Sequence, residues 1–340
     1  MATRAVTLMI PGLAQPPRSV ADFPATPTLD RLFARAQRRD DPAAVYERAL
    51  TGLFTDAEPP PWAALSFWGD TGQRPDRPLL RADPLHVQAG THHHIHFDQA
   101  RLDLDREESA ALVASLNEAL QPEQMRLVAP TPGRWYLELP APLSVLTLPL
   151  SAGLAMGAPP WSPTGPDAPR LKRLLTEIQM LLHEHPVNQA RERLGQLPVN
   201  SLWLWGGGPL PNHWQQPFAA IMGTAPLAQG LARAVGLPVL STWDEPLLDG
   251  HSDGGSGALL GVIEELLRPA LWQDPEAWLT ALMGLEQRLT PLLAALQRGR
   301  LDRLTLLTLD GAAYRLARWR SRLPWPRSRS FMQSIGPSPN

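Results

Sequence analysis

The residues best suited to hold an anion lie close together between Leu171 and Gly208. His185, Asn188 and Arg191 fall within one short run, HPVNQAR, and Asn200 and the consecutive glycines Gly206, Gly207 and Gly208 follow. A guanidinium grips phosphate or carboxylate through two parallel hydrogen bonds, amide and imidazole groups add donors, and glycines let backbone N–H groups approach closely. These seven residues form the candidate binding set. The same residue types also suit helix caps, turns and a tight corner, so a purely structural reading stands beside the anion site.

Spacing predicts the elements that carry them. Leu171, Leu174, Leu175, Ile178, Leu181 and Leu182 recur at helical intervals and form one apolar face. Pro186 disfavours helix at His185 and suits the first turn of a second helix, Val187 to Leu194, which Gly195 closes. Asn188 and Arg191 then share a face. Val199 to Trp205 is a nearly unbroken apolar run, which predicts a strand buried on both faces and parallel to its neighbours. In open α/β sheets ligands bind at the carboxyl ends of strands, and here that end carries the three glycines. Pro209 argues against a helix directly after them, so the stretch is no dinucleotide fingerprint.

The pattern HPVNxxR…G…PVNSLWLWGGG resembles the regulatory protein RpfE family of bacteria. In part it also resembles the HPvN…R…G…aN…GxG stretch of archaeal-type cofactor-independent phosphoglycerate mutases. The apolar run Ala5 to Ile10, ending at Pro11, and TPTLDRL at Thr26 to Leu32 resemble the start of alkaline-phosphatase-superfamily chains. In that superfamily the first strand ends in a metal-binding aspartate, whereas Pro11 has no ligand atom. PPPWAALSFWGD, Pro59 to Asp70, resembles the serine-bearing stretch of the mutases. In the register set by Leu65 to Gly69, the nucleophilic serine, the following aspartate and a histidine fall on Pro60, Pro61 and Ala64. On the late strands Asp310 alone remains near a ligand position, beside Gly311.

The resemblance implies an α/β, alkaline-phosphatase-like fold: a mostly parallel sheet flanked by helices, from residues 1–70 and 196–320, with an inserted α+β subdomain at 71–195. Residues 321–340 form an expected disordered basic tail. The implied function is that of a catalytically degenerate, phosphoglycerate-mutase-like regulatory protein that keeps an anion or metabolite pocket, with no catalytic residue, metal or cofactor assigned. Two alternatives stay open: an active metal-dependent phosphomutase or phosphatase using Ser66, Asp70, His86 and Asp310, or a pure protein-interaction module. A small anionic metabolite is the expected ligand, and a protein partner is left open.

Composition bounds these readings. At 340 residues the chain can bury a large core, and a net charge of −2 gives no general pull toward nucleic acid. The absence of cysteine excludes disulfides and thiolate chemistry. The opening MATRAVTLMIPG has too short an apolar run for a signal-peptide core, and no later run approaches a membrane span, so a cytoplasmic protein is expected. His92, His93, His94 and His96 alternate faces on an expected strand and lack an acidic partner at suitable spacing, which favours a solvated strand over a metal site. The loop His251 to Gly257 places Ser, His and Asp as chain neighbours, which is no triad geometry.

Overall fold

The structure, a computed structural model, describes residues 4–20, 22–42, 45–89, 94–156, 163–240, 258–323 and 331–332, apart from the side chains of Ala89, His94, Ile95, His96 and Met156. The chain divides into two compact units, Met1–Phe54 with Trp214–Asn340, and Thr55–His213. The second unit thus starts before and ends after the 71–195 insertion expected from sequence. The reason is local: helix Trp62–Thr71 and strand Ser201–Trp205 both pack on strand Leu79–Ala89.

Strands are numbered along the chain. The first unit opens with β1 (Ala5–Met9) and β2 (Gln37–Asp40); the second holds β3 (Leu79–Ala89), β4 (His94–Phe97), β5 (Arg126–Thr131), β6 (Arg134–Glu138) and β7 (Ser201–Trp205). The first unit resumes with β8 (Ala220–Met222), β9 (Val239–Leu240), β10 (Ala258–Val262), β11 (Arg303–Leu307) and β12 (Ala312–Ala317).

In the first unit seven strands form one sheet in the order β2-β12-β11-β1-β10-β8-β9. The pairs from β11 across to β9 are parallel, and β12 and β2 are antiparallel additions. This is the mostly parallel α/β sheet expected. Asp310 and Gly311 lie in the β11–β12 connection, where Gly311 takes a φ of +98°. Asp40 ends the exposed edge strand β2, and the next helix begins at Tyr46. The sequence QRRD lacks any apolar alternation and becomes a strand by pairing with β12.

Helix Pro275–Arg298 spans this unit, with Asp274 as its N-cap, Pro275 in the first turn and Gly299 in the left-handed conformation at its end. It buries Trp278, Leu282, Leu285, Leu289, Leu292, Leu293 and Leu296, each contributing about 1.5–3 kcal/mol as an upper estimate. The TPTLDRL stretch forms helix Pro27–Arg35, which packs against it. Thr26 gives this helix no side-chain cap. The buried carboxylate of Glu286 supplies it from outside, accepting from the N–H groups of Thr28 at 2.6 Å and Leu29 at 3.0 Å. Most of the expected disordered tail lies outside the described residues, but Phe331 sits in the core, 5.8 Å from Phe33, and its N–H donates to Asp30.

In the second unit β3 is the hub of an antiparallel sheet. Its first residues pair with β6, its middle with β7 and its end with β4, while β5 extends the sheet beyond β6. Helices Arg106–Leu120 and Ala168–Glu184 cover one face, built from Leu80, Ala82, Trp135, Leu137, Leu202 and Leu204. Between β6 and helix Ala168–Glu184 the chain forms helix Leu150–Met156 and a bridge between Leu146 and Thr164.

Candidate functional site

The predicted helix, break and short helix are present as Ala168–Glu184 and Pro186–Arg193, with His185 between them. His185 is the N-cap of the second helix: its Nδ1 accepts from the Val187 N–H at 3.2 Å. The remaining proton of the neutral ring is therefore on Nε2, which donates to Ser115 Oγ at 3.0 Å. Partial burial lowers the His185 pKa below 6.5, against the opposing effect of a hydrogen bond to the Ala111 backbone.

Asn188 is buried and ties the end of the first helix to the start of β7. Its amide donates to the carbonyls of Leu182 and Val199, at 2.6 and 2.7 Å, and its oxygen accepts from the Val199 N–H at 2.8 Å. Arg191 is 1% exposed. It donates from Nε to Leu197 O at 2.8 Å, from Nη1 to Glu108 at 2.6 Å and from Nη2 to Leu102 O. Asn200 uses its side chain as a further peptide group, accepting from the Val87 N–H at 2.7 Å and donating to Val87 O at 2.9 Å. It thereby extends the β3–β7 pairing by one residue. The polar atoms of the motif are thus engaged with the second unit's own chain.

β7 also departs from expectation. It pairs antiparallel with β3, in register from Ser201 against Leu85 to Trp205 against Arg81. A buried apolar run does not specify strand direction, and here both faces are covered without a parallel crossover. The glycines therefore follow an antiparallel strand, so their place at its end carries no topological argument for a ligand.

The glycines serve close packing of the chain. Gly206 has a φ of +79°, donates to Thr147 Oγ1 at 3.1 Å and accepts from the Ala63 N–H at 2.9 Å. A Cβ on Gly208 would lie 2.4 Å from Pro59 O and 2.7 Å from Pro60 O, so only glycine fits there. Gly207 and Gly208 do line a cavity of about 1000 Å³ within the second unit. Its walls are largely apolar, with Leu80, Leu143 and Leu146 among them, and Arg74, Arg77, Asp76 and Glu58 are its charged lining. Arg77 is held by a 2.8 Å bond to Gln124 O, and Arg74 lies over the Trp68 ring at 5.8 Å. His185, Asn188, Arg191 and Asn200 do not line this cavity. The sequence reading missed the two arginines, because a PDRP turn carries no periodic signal.

The alternative catalytic residues are distributed differently. Ser66 is buried in helix Trp62–Thr71. Asp70 receives two bonds from Arg134, at 3.0 and 2.8 Å, and one from the Tyr136 hydroxyl at 2.6 Å. Burial, with Asp70 adding to it, pushes the Tyr136 hydroxyl far above its usual range against the pull of Arg81. Arg81 stacks between Tyr136 and Trp205 and donates to Asp83, which also accepts from Trp205 Nε1 at 2.6 Å. His86 donates from Nδ1 to Pro198 O at 2.8 Å. In the first unit Asp310 accepts from Thr308 Oγ1 at 2.6 Å.

At the carboxyl ends of the parallel strands Pro11 follows β1, Glu264 follows β10 and Thr308 follows β11. Tyr46 is buried beside Glu264, and burial followed by that charge holds its hydroxyl well above the usual value. Among the described residues no group of three His, Cys, Asp or Glu side chains is arranged to hold a metal ion. His92, His93 and the 251–257 loop lie outside the described residues, as do the side chains of His94 and His96.

No protein-family model matches the chain. The 2,3-bisphosphoglycerate-independent phosphoglycerate mutase of Methanothrix thermoacetophila is 35% identical over 83 residues, which cover 23% of this chain and 21% of that protein. The corresponding mutase of Methanosarcina acetivorans is 27% identical over 157 residues, covering 40% of this chain and 36% of that protein. The chain therefore spans between about a fifth and just over a third of the length of these curated relatives. Over part of its length it is a distant homologue of the cofactor-independent phosphoglycerate mutases. The PH0037 protein from Pyrococcus horikoshii aligns over 93% of this chain and 88% of its own, with a TM-score of 0.52 and 14% identity, a likeness of fold. No helix among the described residues is long and apolar enough to cross a membrane.

Proposed function

We propose that the chain is a catalytically degenerate relative of these mutases with a regulatory role, and that it binds a metabolite in the second unit's cavity. The cavity carries the reading: its volume of about 1000 Å³ is at the upper end for a small-molecule site, and apolar walls with a few charged groups are the usual composition of one. Arg74 and Arg77 suit an acidic end group, and the leucine and proline walls suit an apolar body. A small, fully polar phosphoglycerate matches those walls poorly. Pro11 supports the loss of catalysis, since it stands where the resemblance calls for a metal-binding aspartate.

Two measurements on the full chain test this. Manganese- and zinc-supplemented assays of phosphoglycerate interconversion are expected to show no turnover. Calorimetric titration is expected to show binding of a medium-chain carboxylate that Leu146→Trp, a bulkier side chain at an exposed lining position, abolishes. Turnover with bound metal would establish the active phosphomutase instead, and carboxylate affinity unaffected by Leu146→Trp would remove the cavity from the proposal.

A further inference from the structure

The outer strands of the first unit's sheet carry a row of arginines. Along β12 the alternate residues Ala312, Tyr314 and Leu316 enter the core with Leu304 and Leu306 of β11, beneath helices Pro27–Arg35 and Pro275–Arg298. Ala313, Arg315 and Ala317 therefore point to the opposite face. Register adds Arg303, Thr305 and Leu307 of β11 and Gln37 and Arg39 of β2 to that face.

Arg315 pairs directly with Thr305 on one side and Gln37 on the other, so Arg303 and Arg39 are its diagonal neighbours. The three arginine positions thus form a line across β11, β12 and β2, in diagonal steps of roughly 7–8 Å along the sheet. Slight burial, then the charges of Arg303 and Arg39, lower the Arg315 pKa from its ordinary value, as expected for like charges held side by side. Among the described residues no carboxylate bonds any of the three. Arg38, which points to the other face, has Asp40 at 3.8 Å.

We propose that this row is a docking surface for an extended acidic segment of a partner protein, with carboxylates at alternate positions. In an extended chain alternate side chains share a face and repeat every ~6.6–6.8 Å, close to the diagonal step of the arginines. A single nucleic-acid strand fits less well, because such sites stack bases on aromatic rings and none of the residues on this face of β2, β11 and β12 is aromatic. Binding would relieve the mutual repulsion of three cations whose charges lack a counterpart among the described residues of this face.

The test uses the full chain and a fluorescent peptide of alternating glutamate and serine, read by anisotropy at low salt. A same-composition peptide with its glutamates in one block and an oligothymidylate serve as comparisons. The alternating peptide is expected to bind most tightly, to weaken with salt, and to lose about tenfold or more in affinity to the triple variant Arg39→Ser, Arg303→Ser, Arg315→Ser. If the triple variant fails to fold, Arg315→Gln alone decides, with a severalfold loss expected. Equal affinity for wild type and variants, tighter binding of the block peptide or the oligothymidylate, or no binding of the alternating peptide would each overturn the proposal.

Discussion

Arg191 Nη1 donates to Glu108 Oε2 at 2.6 Å, and that same oxygen accepts from the Asp105 backbone N–H at 3.2 Å. Asp105 in turn accepts from the Glu108 N–H, so the guanidinium is bound into the capping box of helix Arg106–Leu120. Lysine keeps the charge but loses the Nε bond to Leu197 O and the fork that reaches Glu108 and Leu102 together. Arg191→Lys is therefore expected to cost about 2–3 kcal/mol of stability in urea denaturation. A melting temperature equal to wild type, with weakened anion binding, would return Arg191 to a ligand-binding role.

Glu286 does for the first unit what a local cap normally does, since its carboxylate serves the Thr28 and Leu29 N–H groups. Glu286→Ala leaves both unpaired and is expected to destabilise by about 2–4 kcal/mol. Hydrogen exchange should accelerate in residues 27–35 before it does in the second unit. Exchange raised uniformly across both units would contradict this local role.

The two cavity-lining glycines should respond differently to one methyl group. A Cβ at Gly208 meets the backbone oxygens of Pro59 and Pro60, which cannot yield without moving the chain, whereas at Gly207 it meets the tip of Leu80 at 2.6 Å. Gly208→Ala is expected to cost about 1–3 kcal/mol and Gly207→Ala less, because a leucine tip can rotate. Thermal melts of the pair check the order. Equal losses would show that Leu80 is as immovable as the backbone.

His185 should give the second unit an acid-sensitive component. The cap needs the neutral ring, and burial lowers the folded pKa below the ordinary 6.5. Above about 6.5 the ring is neutral folded and unfolded, so the contribution is complete; as pH falls, the unfolded chain protonates first and stability is lost through the folded pKa. His185→Asn keeps a capping acceptor that does not titrate. Wild type should lose more melting temperature than this variant on acidification, and parallel pH curves would show that His185 does not couple to folding.

The chain's local structure was written in its sequence where one segment settles it alone. Apolar spacing and Pro186 determine the helix–break–helix around His185, and the uninterrupted run from Val199 to Trp205 determines a buried strand. The likeness of HPVNxxR to mutase sequences likewise pointed to the right relatives and to an α/β sheet. Tertiary structure alone decided what those residues do. Arg191 meets Glu108, 83 positions away, and Asn200 meets Val87, 113 away, partners that no local spacing reveals. The same holds for strand direction in β7, because burial on two faces is silent about which neighbour supplies the hydrogen bonds. Arg39, Arg303 and Arg315 become neighbours only through the register of β2, β12 and β11, which long-range pairing sets and composition does not.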